Sequence, residues 1–152
     1  MRIALFEPEI AVNVGAILRL GACLGAAIDL IEPMGFEWDD RRVRRTAMDY
    51  IDHVVVTRHS SFDSFRKTVG EARLILLTTK ADRSLYEAEF EPSDILLFGR
   101  ESAGVPPEVA SACDLKLKIP TAPGVRSLNL AMTAGIAASE VLRQLRLAPI
   151  SA

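Results

Sequence analysis

Cysteine is scarce in this 152-residue chain: Cys23 and Cys113 stand far apart and form no CxxC pair. With only His53 and His59 to join them, neither a structural zinc site nor a disulfide framework is expected. No sign of charge dominates. The net charge is −2 and the isoelectric point near 5.7, so any affinity for nucleic acid must come from basic residues gathered locally. The opening residues, Met1 to Pro8, lack the apolar core of a signal peptide. The apolar stretch from Ile10 to Ile28 is broken by Asn13, Arg19, Gly15, Gly21 and Gly25, which argues against a membrane span. A soluble, cytoplasmic protein is expected.

What is present is apolar material in short pieces. Hydrophobic residues make up 49% and charged residues 25% of the chain, enough for a packed core in a single domain over 1–152. Mean hydropathy is +0.21, high for a small monomer, so part of the apolar surface is expected to face a partner. Strands are predicted at Ile3–Phe6, Ile28–Ile31, Val54–Thr57, Leu74–Thr78, Ile95–Phe98 and Leu115–Ile119. Helices are predicted at Val14–Leu24, at a basic stretch Asp39–Met48, at a short amphipathic stretch with Phe62, Phe65 and Val69 on one face, at Pro106–Ala112 and at Leu128–Leu145. Leu74–Thr78 and Ile95–Phe98 show no polar alternation, the mark of strands covered on both faces. Alternating strand and helix predict an α/β protein with a mostly parallel sheet flanked by helices. Ligands of such sheets gather beyond the carboxyl ends of the strands.

Four segments carry chemistry. Asn13-Val14-Gly15 is followed at helical spacing by Arg19, the sole charged residue between Glu9 and Asp29. Asn13 suits a helix N-cap. Arg19 lies on a solvent face, or projects from an end of the sheet toward a partner group. Phe98-Gly99-Arg100-Glu101-Ser102-Ala103-Gly104 ends a buried strand with two glycines that let a loop fold tightly around a ligand, or simply turn. It is neither a Gly-Lys-Ser/Thr phosphate loop nor a GxGxxG motif. Ile119-Pro120 is followed by Ser127-Leu128-Asn129-Leu130, with no charge from Ser127 to Ser139. Ser127 and Asn129 serve there as helix caps or as site residues, and the small, uncharged helix suits a subunit interface. Finally Arg41, Arg42, Arg44 and Arg45 outnumber the nearby acids, and read as a phosphate-binding strip or a solvated helix face. Arg58, His59, Arg66 and Lys67 could extend it.

Taken in this order, the motifs resemble the SPOUT superfamily of RNA methyltransferases over nearly the whole chain, from Leu5 to about Leu145. Glu32-Pro33-Met34-Gly35-Phe36, Trp38-Asp39-Asp40 and Asp49-Tyr50 resemble its TrmL branch, which methylates the ribose 2′-hydroxyl of the wobble nucleotide in tRNA(Leu) species. The resemblance implies a C-terminal trefoil knot, a homodimer, tRNA as substrate, and S-adenosylmethionine as methyl donor with S-adenosylhomocysteine as product; no metal is implied. It implies cofactor contacts at Leu77, Gly99, Glu101, Ile119, Ser127 and Leu128, and catalytic roles for Arg19, Ser127 and Asn129. The family sometimes gives its arginine the part of general base. A guanidinium holds its proton too firmly for that, so Arg19 is expected to anchor phosphate and to face the developing oxyanion. Val105, Ala131 and Ser139 depart from the branch, where Leu, Ser and Tyr are commoner. Methylation at another tRNA or rRNA position, a noncatalytic module on the same scaffold, and a generic flavodoxin-like or dinucleotide-binding protein are the alternatives. The last is disfavoured by the absence of GxGxxG and of a ribose-binding acid after the second strand.

Overall fold

The computed structural model describes residues 1–39 and 48–145. In chain order these form β1 (Arg2–Phe6), α1 (Ala11–Leu24), β2 (Ala27–Ile31), a 3₁₀ turn (Met48–His53), β3 (Val56–His59), α2 (Phe62–Val69) and β4 (Leu74–Leu77). A second 3₁₀ turn (Leu85–Glu87) follows, then β5 (Ile95–Phe98), α3 (Pro107–Ser111), β6 (Leu115–Leu117) and α4 (Leu130–Leu145). The six described strands make one sheet in the order β3-β2-β1-β5-β4-β6, and every neighbouring pair is parallel.

Parallel pairing with helical crossovers buries both sheet faces, and the side chains divide accordingly. Ile3, Leu5, Ile28, Leu30, Ile75, Leu77, Leu96 and Phe98 pack beneath Val14, Ile17 and Leu18 of α1 and Ala134, Ala137, Ala138 and Val141 of α4. Ala4, Phe6, Ile31, Leu74, Leu76, Ile95 and Leu97 turn the other way, onto Phe65 of α2 and Val109 of α3. The alanines on the inner face of α4 let it lie close to the sheet. Among the described residues no helix is long and apolar enough to cross a membrane.

The structure moves several expected boundaries, that of α1 among them, which begins at Ala11 and not at Val14. The third strand runs Val56–His59, not Val54–Thr57. Arg58 and His59 hide its second half from a hydrophobicity reading, yet both are satisfied. His59 is buried and donates from Nε2 to Oδ1 of buried Asp29 at 2.8 Å, while Arg58 pairs with Glu32. His59 is thus a core histidine and does not extend a basic strip. Arg66 likewise turns inward, donating to the carbonyl of Ala72 at 3.1 Å. The sixth strand stops at Leu117. The last helix starts at Leu130, because Asn129 accepts at Oδ1 from the N–H groups of Ala131 (2.9 Å) and Met132 (3.3 Å) and so caps it. Most of the basic helix expected at Asp39–Met48, with Arg41, Arg42, Arg44 and Arg45, lies outside the described residues.

On α4, buried Glu140 accepts from Arg143 Nε (2.8 Å) and Nη2 (2.7 Å) and from Gln144 Nε2 (2.8 Å). The Arg143 bonds, ahead of those from Gln144, hold its carboxyl well below the usual range, at about 2. A carboxyl depressed in the folded state stabilises the protein above its ordinary pKa, and that stability is lost as pH falls from about 4.5 toward 2. Arg143 is largely exposed, which screens the pair, so Glu140→Gln should cost about 1–2 kcal/mol at pH 7 and little at pH 2. Urea unfolding of both proteins across that range checks this.

Candidate functional site

Beyond the carboxyl ends of β4, β5 and β6 lies a cleft of about 1040 Å³. Its walls are the end of β4 with Thr78–Lys80, the loop 99–105 after β5, and the segment 119–130 between β6 and α4. Leu77, Gly99, Glu101, Ile119, Ser127, Leu128 and Asn129 all line it. Leu77, Phe98, Ile119 and Leu128 offer apolar surface, and Thr78, Ser127 and Asn129 offer hydroxyl and amide groups. Such a mixture suits a flat apolar ring system carrying a polar sugar.

The loop after β5 is built for close packing. Arg100 and Gly104 exchange both backbone hydrogen bonds, N–H to O at 3.0 and 2.9 Å. A Cβ on Gly99 would stand 2.5 Å from the carbonyl carbon of Gly104, and Gly104 itself has φ +68°. Only glycine meets both demands without strain.

Three distant motifs converge beside this loop. Glu101 accepts at Oε2 from the N–H of Glu9 (2.8 Å), and at Oε1 from the N–H of Ile10 (3.3 Å) and from Asn13 Nδ2 (3.1 Å). Asn13 in turn accepts at Oδ1 from Asn129 Nδ2 at 2.9 Å. Asn13 is therefore not the N-cap of α1. That position belongs to Ile10, whose side chain cannot cap. The carboxylate that faces the helix start comes instead from Glu101, across the sheet, where a negative charge also meets the positive end of the helix dipole. Glu101 thus spends its carboxylate on α1, and Asn129 spends its amide on α4 and Asn13.

Arg19 is not part of the cleft wall. It sits on α1 six residues beyond Asn13, about 9 Å along the axis, with its guanidinium 4.9 Å from the centre of the Tyr50 ring. Arg58 is held similarly over Trp38 at 5.3 Å. A second concavity, about 580 Å³, lies between α1 and α4, with Leu20, the residue after Arg19, in its wall. Ala16, Leu20, Met132, Gly135 and Ile136 line it, as does Ser139, and Val12 and Met132 are more than 60% exposed.

Two participants gain their role only from the fold. Glu9 accepts at Oε2 from the N–H of Ser102 (2.8 Å) and at Oε1 from its Oγ–H (2.7 Å). These bonds, with Arg100 a lesser influence, hold the Glu9 carboxyl below the usual carboxylate range. No local pattern announces the pair, since the partners are far apart in the chain. Glu7-Pro8-Glu9 reads as a polar turn until the fold brings it against the β5 loop.

Known proteins share this arrangement. The model of the SpoU rRNA methylase family matches residues 1–139. A tRNA (cytidine(34)-2'-O)-methyltransferase of Beijerinckia indica subsp. indica is 49% identical over 144 residues, 93% of this chain and 90% of the relative. A solved structure described as giving structural insights into the 2-OH methylation of C/U34 on tRNA superposes with a TM-score of 0.91 at 42% identity, covering 95% of both chains. An AdoMet-bound rRNA methyltransferase from Sinorhizobium meliloti reaches 0.85 at 26% identity, covering 95% of this chain and 56% of that one. The family match includes every strand and all three segments that build the cleft, and the chain belongs to the SpoU rRNA methylase family.

Proposed function

We propose that this protein is a cytoplasmic, S-adenosylmethionine-dependent tRNA methyltransferase that modifies the ribose 2′-hydroxyl of nucleotide 34, with tRNA(Leu) species as its substrates. The observation that carries the reading is the cleft between the loops 99–105 and 119–130, tied by Glu101, Asn13 and Asn129. Relatives that cover nearly the whole chain and are named for this reaction support it, as does the structure at TM-score 0.91.

The residues present fit an adenosyl ligand. Leu77, Ile119 and Leu128 supply apolar walls for the base, and the backbone around Gly99 and Ser127 supplies polar groups at the edge. When bound, S-adenosylmethionine supplies a methyl group already activated by a sulfonium, so the protein has only to align an incoming ribose oxygen and favour its developing charge. No metal enters this reading. Ser127 and Asn129, at the mouth of the cleft, are the polar groups nearest to that task. Asn129 does it with an amide whose orientation is fixed by Asn13 and by the start of α4. A trefoil knot belongs to the same reading: the segment between β6 and α4 walls the cleft while α4 returns to pack against α1 and the sheet.

Arg19 enters through a second copy of the chain. The concavity between α1 and α4 is apolar and rich in small residues, with Val12 and Met132 exposed around it. That composition belongs to the centre of a homodimer interface. Packing there carries Arg19 of one protomer toward the partner's cleft, where it grips phosphate and faces the reacting oxygen. Arg41, Arg42, Arg44 and Arg45 extend the grip along the RNA backbone.

Two outcomes follow. Arg19→Ala should lower methylation of tRNA at nucleotide 34 by about a thousandfold, the scale of losing a positioned electrostatic group, while S-adenosylmethionine binding changes less than about twofold; nucleoside mass spectrometry and calorimetry read the two effects, and undiminished turnover removes Arg19 from the site. Mixed dimers of Arg19→Ala with Asn129→Ala should regain about half of the wild-type dimer's turnover, because one of two shared sites is then intact. Absence of recovery would assign both residues to the same protomer's site.

A further inference from the structure

The wall of the cleft formed by loop 99–104 is closed at its base and held at its tip by different means. The base is stitched by the exchange between Arg100 and Gly104. The tip, Glu101–Ser102, crosses to the turn between β1 and α1 in a reciprocal exchange between two glutamates. Glu101 receives the N–H groups of Glu9 and Ile10, and Glu9 receives the N–H and the hydroxyl of Ser102. These four bonds span 2.7 to 3.3 Å.

The two halves of the exchange serve different ends. The Glu101 half satisfies donors at the start of α1 and would be needed in any protein that ends a helix there. The Glu9 half satisfies no helix end and no strand edge. Its donors belong to the tip of the loop that walls the cleft, the N–H and hydroxyl of Ser102 foremost. Glu9 is itself fixed from behind: Gly35 donates its N–H to the carbonyl of Pro8 at 2.9 Å, and a Cβ on Gly35 would stand 2.8 Å from Glu9 Cα. The backbone at Glu9 is thus backed by the loop after β2, and the β5 loop is moored to its carboxylate.

We propose that Glu9, acting through Ser102, is a positioning residue for cofactor binding, holding loop 99–104 in the geometry that receives the adenosyl ligand. The inference rests on the cleft being the S-adenosylmethionine site. A pocket that recognises its ligand by backbone groups has no side chain to adjust when the loop sways, so loosening the tip reduces affinity directly. Glu9 touches neither reacting atom, and the effect belongs to binding.

Calorimetric titration with S-adenosylhomocysteine tests this on the full-length protein. Glu9→Ala should raise the Kd about tenfold, the scale of one to two lost hydrogen bonds. Ser102→Ala, which keeps its N–H, should raise it about threefold. The double variant should bind no more weakly than Glu9→Ala alone, because both changes break one contact. Glu9→Gln should recover most of the affinity, its amide oxygen accepting from the Ser102 N–H and its NH₂ donating to Oγ. In turnover, the KM for S-adenosylmethionine should rise in step while kcat and the KM for tRNA stay within about twofold. A Kd unchanged in a folded Glu9→Ala protein, or a fall in kcat with the KM unmoved, overturns the proposal. Should Glu9→Ala fail to fold, an unchanged Kd in Ser102→Ala overturns it equally. A wild-type protein that binds no S-adenosylhomocysteine defeats the assignment of the cleft as well, which separates the two failures.

Discussion

One buried amide organises the site. Asn13 is 6% exposed and must satisfy both a donor and an acceptor away from water. It gives its N–H to Glu101 after β5 and accepts from Asn129 before α4. Neither a carboxylate nor a hydroxyl has that pair of opposed functions on one short planar group. A buried network of this kind stabilises only when every member is satisfied, and here Glu101 discharges its remaining capacity into the two residues before α1, and Asn129 into the first turn of α4. The cleft and the two helices on one face of the sheet are therefore a single mechanical unit.

That unit explains why so small a chain can hold a ligand-sized cleft. Two helices lie on the same sheet face, and the start of each is held by a residue of the cleft wall, Glu101 for α1 and Asn129 for α4. α4 is used along its whole length. Its start walls the cleft, its alanines pack on the sheet, and its outer face borders the apolar concavity with α1. A shift of α4 in any direction would be felt at both surfaces. In the proposed dimer this connects the seat of the cofactor with the face that carries the partner's Arg19.

The sheet was legible in the sequence because runs such as Leu74–Leu77 and Ile95–Phe98 are apolar throughout, a pattern that only a strand buried on both faces tolerates. β3 was half legible, since Arg58 and His59 are polar for reasons that depend on Asp29 within β2 and Glu32 just after it. At the site, the residues around the cleft could be named from their motifs, but their duties could not. Asn13 read as a cap because it precedes an apolar helix, whereas the cap arrives from Glu101 far along the chain. Ser102 stood within a segment the sequence singled out, but its bond to Glu9 was not legible, because a carboxylate and a hydroxyl acquire meaning only when the fold brings them within 2.7 Å. Periodicity likewise speaks of elements and their faces, and says nothing of how a chain threads.

A crystal structure of the protein grown with S-adenosylmethionine is the most direct measurement. The account predicts adenosyl density between loops 99–105 and 119–130, with the base against Leu77, Ile119 and Leu128 and the methyl directed toward the mouth where Ser127 and Asn129 stand. Density for the ligand in the concavity between α1 and α4, or a saturated crystal with the cleft empty of it, would contradict the account.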